Sequence, residues 1–285
     1  MSNILPIPVT IPAEKLFASL QAKRLAGQHK GDFGHGLIIG GCAATPGAAI
    51  LAAQGALRAG IGKLSVLMDA GYQNALLSRQ PEVMLADSYD IKSYKVTNYD
   101  AVLLGPGLGQ RAFAKQSFRS LITYYKSVKI LDADGLNLLS EDQDRKDKNY
   151  DLTQTIITPH PGEAARLLGT HIQTVQADRV KATQALLAEY QCAVVVLKGA
   201  NTLIAGAGTE HIYQCDLGSS AMSTAGMGDL LAGIILGLVG QGFTPIEAAQ
   251  LAVYWHAFAA DQAVKEQGTI SVLASDLLAY MRYVY

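Results

Sequence analysis

The chain has 285 residues, 49% of them hydrophobic and 16% charged, with a formal net charge of -1. This length and composition allow one large buried core, and the near-neutral charge excludes a strong uniform attraction for nucleic acid or an acidic membrane surface. Cys42, Cys192 and Cys215 are too scattered for a disulfide framework or a zinc site, and they fit buried thiols in a reducing compartment.

The first 16 residues lack the basic start and apolar block of a signal peptide, so the reading is a cytoplasmic chain. Short β-branched runs then alternate with helical patterns. Strands are predicted over 37–39, 64–67, 101–104, 129–131, 155–157 and 193–197. Most are apolar on both faces, as expected of strands buried between helix layers. Helices are predicted over 47–59 and 175–190, and polar surface stretches over 87–98 and 141–151. Residues 202–205 and 211–214 flank Gly206 and Gly208 and read as a hairpin. The longest apolar run, 230–240, is too short to span a bilayer, which needs roughly 20 apolar residues. Its Gly233–Gly237 pair points instead to close helix packing. A last helix starts at Pro245 after the N-cap Thr244 and runs to about residue 264. The alternation predicts an α/β fold in a single domain, with a mostly parallel, doubly wound sheet and helices on both faces.

Several glycines follow a strand and open a helix. That edge of an open α/β sheet is where ligands bind. Neither GxxxxGK[ST] nor GxGxxG occurs. Gly105, Gly107 and Gly109 form GxGxG, which fits a tight turn as well as a phosphate or ribose contact. Residues 223–233 (STAGMGDLLAG) carry more information. The backbone N–H groups of Ala225, Gly226, Met227 and Gly228 can converge near a helix start and meet the negative charge of a phosphate. Asp229 then stands in the first turn. It either complements the helix dipole or acts as general base for a substrate hydroxyl.

The AGMGD segment resembles the anion-hole motif of ribokinase-like kinases. Seven segments narrow the match: KGDFGHGLIIGG (30–41), PGAAILAAQGALRAGIGKLSV (46–66), LLGPGLG (103–109), LDADGLNLL (131–139), ITPHPGEAARLLG (157–169), VVLKGANTLIAG (195–206) and STAGMGDLLAG. In this order they resemble the ADP-dependent NAD(P)H-hydrate dehydratases, from about Gln28 onward. The resemblance implies a ribokinase-like fold and a repair reaction on hydrated NADH or NADPH in the S form. The terminal phosphoryl group of ADP passes to the ring hydroxyl. The phosphate ester then eliminates, leaving AMP, phosphate and NAD(P)H.

The resemblance also implies residue roles. Asp229 would take the hydroxyl proton, and Gly226 and Gly228 would form the anion hole. Lys198, Gly199, Ala200, Asn201, Thr202 and Gly228 would hold the nucleotide. Ala48, Gly107, His160 and Asp229 would contact the hydrate. Glu163 fits either metal-bound water or a helix cap, and Asp132 and Asn137 either line the site or order their turn. Mg2+ is implied, with its ligands open. A homo-oligomer, such as a tetramer, and a separate epimerase are implied as partners. A ribokinase-like vitamin kinase, or a nucleotide sensor without catalysis, remains as an alternative.

Overall fold

The computed structural model describes residues 8–11, 15, 17, 18, 20, 25–42, 45–87, 98–142 and 150–282. Most of the predicted polar stretches, 88–97 and 143–149, lies outside the described residues. Ten strands form one sheet: β1 Val9–Thr10, β2 His35–Ile39, β3 Lys63–Leu67, β4 Met84–Leu85, β5 Ala101–Leu104, β6 Val128–Leu131, β7 Thr155–Ile157, β8 Val194–Leu197, β9 Leu203–Gly206 and β10 Ile212–Gln214. Their order is β1-β10-β9-β8-β7-β6-β5-β2-β3-β4. Only β9 runs antiparallel to its neighbours, and β9 with β10 is the predicted hairpin.

Alternation along the strands divides the apolar side chains between two cores. Ile38, Leu103, Ile130, Ile156 and Val196 enter one with helices α1 (Pro46–Arg58), α8 (Met227–Gly240) and α9 (Pro245–Gln267). Leu37, Val102, Leu104, Leu131 and Val195 enter the other with α3 (Ala112–Tyr124), α4 (Asp134–Glu141), α5 (Pro161–Leu167) and α7 (Arg179–Tyr190). Helices therefore cover both faces, as the doubly apolar strands require. Each fully buried Leu or Ile contributes about 1.5–3 kcal/mol over exposure. Three further α-helices are α2 (Gln73–Arg79), α6 (Ile172–Ala177) and α10 (Leu277–Tyr280).

Small residues let α8 lie directly on α1. A Cβ on Gly233 would sit 2.0 Å from the Ala52 carbonyl oxygen, and one on Gly237 2.5 Å from that of Ala56. No described helix is long and apolar enough to cross a membrane. Thr244 caps α9 as predicted, in a reciprocal box with Glu247.

The predicted helix over 175–190 is instead two helices. Asp178 breaks it at φ -146°, where its side chain accepts from the Lys181 amide at 2.9 Å. A short acidic side chain that bonds the backbone ahead of it starts a new helix rather than continuing the old one.

The sheet reverses its winding between β2 and β5. The chain lays down β3 and β4 on one side of β2, then β5 to β8 on the other. The loops after β2 and β5 meet there, with the Gly41 amide donating to Pro106 O at 2.9 Å and the Cys42 amide to Gly107 O at 2.7 Å.

Candidate active site

Three adjacent parallel strands end side by side, and the residue after each carries a polar group. Asp132 follows β6, Thr158 follows β7 and Lys198 follows β8. Backbone bonds hold the three in register, from Thr158 N to Leu131 O at 3.2 Å and from Lys198 N to Pro159 O at 2.8 Å. Asp132 Oδ1 accepts from Thr158 Oγ1 at 2.7 Å and from Lys198 Nζ at 2.5 Å. Glu163 Oε2 lies 3.8 Å from the same ammonium. Lys198 is thus a buried, paired cation, with a side chain only 16% exposed, and not a solvated residue at a strand end. Burial alone would lower its pKa. Asp132 and Glu163 more than offset that, so the net shift is upward and the charge is kept.

Opposite this cluster α8 begins. Gly226 is its N-cap at φ +92°, a left-handed conformation that glycine adopts without a Cβ clash. Met227 and Gly228 follow as the first helical residues, so their N–H groups have no partner inside the helix. A Cβ on Gly228 would lie 3.3 Å from Lys198 Nζ, which brings the helix start and the cation together. Asp229 stands in the first turn. Its pKa is pushed up to about 6, chiefly by burial and then by the charge of Asp132, against the pull of Lys198. A carboxylate balanced near neutral pH can both accept a proton and release it.

His160 caps α5. Its Nδ1 accepts from Gly162 N at 2.9 Å, while Glu163 Oε2 accepts from His160 N at 2.8 Å. Of the two roles open to Glu163, the structure shows the cap. Because Nδ1 is an acceptor, the neutral ring carries its proton on Nε2. Burial, then Lys198 and Arg166, lower the His160 pKa and favour that neutral form. Glu163 shifts upward, because its burial and the nearby Asp132 outweigh Lys198.

A cavity of about 590 Å³ opens beside these groups, and Lys198, Gly199, Ala200, Asn201, Thr202 and Gly228 all line it. His160 lines it as well. Gly107 lines a second cavity of about 500 Å³ with Thr45, at the point where the sheet reverses its winding. Ala48, in the first turn of α1, bonds back to Thr45 at 3.3 Å and so belongs to the same corner. Ala225 and Gly226 line neither cavity. Asn137 does not enter the Lys198 cluster, since its amide bonds Asp134 at 3.2 Å on α4.

A family model of NAD(P)H-hydrate dehydratases matches residues 36–282, which include every element from β5 to α10 and all of this cluster. The chain belongs to the NAD(P)H-hydrate dehydratase family. The ADP-dependent (S)-NAD(P)H-hydrate dehydratase of Neisseria meningitidis is 38% identical over 92% of this chain and 88% of its own. The bifunctional NAD(P)H-hydrate repair enzyme of Coxiella burnetii is 41% identical over 92% of this chain and 52% of its own. The chain therefore spans about half the length of the bifunctional relatives it matches. Among solved structures, the Bacillus subtilis ADP/ATP-dependent NAD(P)H-hydrate dehydratase, co-crystallised with ATP/Mg2+, superposes with a TM-score of 0.84 at 29% identity, over 99% of this chain and 98% of that one. The fold is ribokinase-like.

In this dehydratase-family chain, three residues stand at the site that reading the sequence did not single out. Thr158 orients Asp132. Arg179 reaches the backbone of the loop after β8. His256, on α9, lines the larger cavity with its Nε2 buried and unpaired, and burial with Lys198 lowers its pKa to about 4. A lone histidine or arginine on a helix gives no local signal of this kind. The strand register that brings Thr158 beside Asp132 spans 26 residues of sequence.

Proposed function

We propose that the chain dehydrates the S form of hydrated NADH or NADPH with ADP as phosphoryl donor. The observation that carries this reading is Asp229: a half-buried carboxylate with a pKa near 6, at a helix start, close to a lysine that other carboxylates keep charged. Its support from likeness is the Neisseria relative, whose name states that activity and whose length the chain nearly covers.

In this reading ADP occupies the larger cavity, and residues 198–202 with Gly228 hold it. The hydrate approaches past His160, with Ala48 and Gly107 as its further contacts. Asp229 takes the proton of the ring hydroxyl as its oxygen attacks the terminal phosphorus, and the bond from that phosphorus to AMP breaks. The N–H groups at the start of α8, in the anion hole assigned to Ala225, Gly226, Met227 and Gly228, and the Lys198 charge stabilise the phosphoryl oxygens in flight. The phosphate then leaves with the ring oxygen, a neighbouring ring carbon loses a proton, and the dihydronicotinamide is restored.

Among the described residues, no group of three His, Cys, Asp or Glu side chains is arranged to hold a metal ion. Asp132 is engaged by Lys198 and Thr158, and Glu163 by the His160 amide. These residues do not fit a resident Mg2+ cage, so no step is assigned to one. Any Mg2+ would enter on the nucleotide, with phosphates and water as its main ligands.

A single domain belongs to the same proposal, supported by the one sheet that takes in all ten strands. A homotetramer and cooperation with a separate epimerase rest on resemblance, and a cytoplasmic location on the scattered cysteines. Turnover of hydrated NADH with ADP, and separately with ATP, tests the reading. NADH and AMP should form with ADP, and faster than with ATP. Phosphorylation that stops at the ester would favour a kinase, and nucleotide binding without turnover a sensor.

A further inference from the structure

The loop after β8 is held from behind by one side chain. Arg179 is the first residue of α7, and it stands there because Asp178 breaks the preceding helix. Its guanidinium donates to four carbonyls, one at the end of β8 and three in the loop that follows. Nη2 reaches Leu197 O at 3.0 Å and Lys198 O at 3.3 Å, while Nη1 reaches Ala200 O and, at 3.3 Å, Asn201 O. Gly199, between them, has φ +134°, and a Cβ on it would meet Nη2 at 3.3 Å. Burial lowers the Arg179 pKa, and no carboxylate opposes that shift. Its Nε is buried without a hydrogen bond. Arg179 does not line the cavity that Lys198, Gly199, Ala200, Asn201 and Thr202 line.

We infer that Arg179 is a positioning residue that shapes residues 198–202 into an anion-binding loop. The reason is the planarity of the peptide unit, in which the C=O of one residue and the N–H of the next point in opposite directions. Turning the carbonyls of Lys198 and Ala200 toward the guanidinium turns the N–H groups of Gly199 and Asn201 away from it, toward the cavity. Successive N–H groups on one side of a loop make a concavity that favours an anion. The half-buried charge adds a field of the same sign. A cation set among carbonyl dipoles, with no acid to neutralise it, suits a site whose occupant brings the negative charge. A lysine could keep the charge but could not span four carbonyls, because it lacks the planar fork.

The inference rests on ADP being the occupant, so the test begins with wild-type protein and ADP. Calorimetry would then compare Arg179→Lys and Arg179→Met for ADP and for hydrated NADH, with melting curves and steady-state kinetics on the same preparations. The expected result is ADP binding weakened about 10–100-fold in Arg179→Met and less in Arg179→Lys, since hydrogen bonds from a charged donor are lost. The KM for ADP should rise with kcat and hydrate affinity nearly unchanged. A merely structural arginine would lower the melting temperature and leave the folded protein with normal ADP affinity, and that outcome overturns the inference. So does a parallel loss of ADP and hydrate binding. If Arg179→Met does not fold, Arg179→Lys decides by the same criteria. Wild-type protein that binds no ADP would overturn the functional reading and this inference together, whereas unchanged variants of an ADP-binding wild type would overturn the inference alone.

Discussion

Residues 29–32 (HKGD) and 160–163 (HPGE) fold into the same turn. In each, histidine Nδ1 accepts from the glycine amide, at 3.1 Å for His29 and 2.9 Å for His160. In each, the acid three residues on accepts from the histidine amide, at 2.7 Å and 2.8 Å. A Cβ on either glycine would lie 2.8 Å from the histidine Cε1, so the ring and the missing side chain fit one another in both turns. What differs is the edge of the sheet. The first turn precedes β2, where strands begin, and its acid, Asp32, is 41% exposed. The second follows β7, where strands end, and its acid, Glu163, is 6% exposed beside Lys198. The local motif makes the turn. The strand end it sits on decides whether its groups meet water or a buried cation.

If the environment of the inner turn makes the site, changes around it should reach the chemistry, and matching changes at the outer turn should not. The largest effect is expected from Asp229→Asn, which keeps shape and much of the hydrogen bonding but removes the base. Turnover should fall about 10²–10⁴-fold with ligands still bound. Asp32→Asn at the outer turn should leave it unchanged. A folded, ligand-binding Asp229→Asn protein with near-normal turnover would falsify the assignment of the base.

Next in size is Lys198→Ala. Losing a charged phosphate donor should weaken ADP about 10–100-fold and the hydrate less. It also leaves Asp132 and Glu163 without their cation, so the protein should melt at a lower temperature and the Glu163 pKa should rise further. Separate titrations with each ligand would check this. Equal losses for both ligands would place Lys198 in the scaffold and not at the nucleotide.

A smaller effect concerns stability and its sign. The folded pKa of Asp229, about 6, lies above its ordinary value of 3.8. Protonation therefore favours the fold, fully below pH 3.8, and the benefit is lost as pH rises through about 6. Asp229→Asn should accordingly be more stable than wild type above that range, by about 1–2 kcal/mol or roughly 2–3 °C after allowance for solvent screening. Melting curves at about pH 8 and about pH 4 should show the advantage shrinking in acid. An advantage independent of pH would mean that the carboxylate is not strained by burial.

The smallest pair isolates the turns themselves. His160→Ala and His29→Ala each remove an N-cap and should cost about 0.5–2 kcal/mol of stability. Only His160→Ala should also raise the KM for the hydrate. If neither variant changes it, the two histidines are equivalent caps and His160 leaves the site.

Much of the molecule could be read before folding. Strands apolar on both faces required helix layers on both sides, and the Gly233–Gly237 pair announced the close contact of α8 with α1. The start of α8 drew attention through its small residues ahead of an apolar helix, whereas the loop 198–202 was singled out only by its resemblance to the family's nucleotide-binding stretch. The break at Asp178 was missed, since the apolar spacing on either side of it continues in phase and a side-chain bond to Lys181 decides the matter. Lys198 as a buried cation, Thr158 and Arg179 were not legible either.

The sequence by itself determined the layers, the turns and the residues able to carry charge or hold a phosphate, because these follow from periodicity, caps and side-chain chemistry within a few residues. Only the tertiary structure decided which of them act together. Parallel pairing of β6, β7 and β8 joins Asp132, Thr158 and Lys198 across separations of 26 and 66 residues. Burial then moves Asp229 to a pKa near 6 and keeps Lys198 charged. Those shifts depend on lost solvent and on charges brought from other strands, and neither is written in the residues next to Asp229.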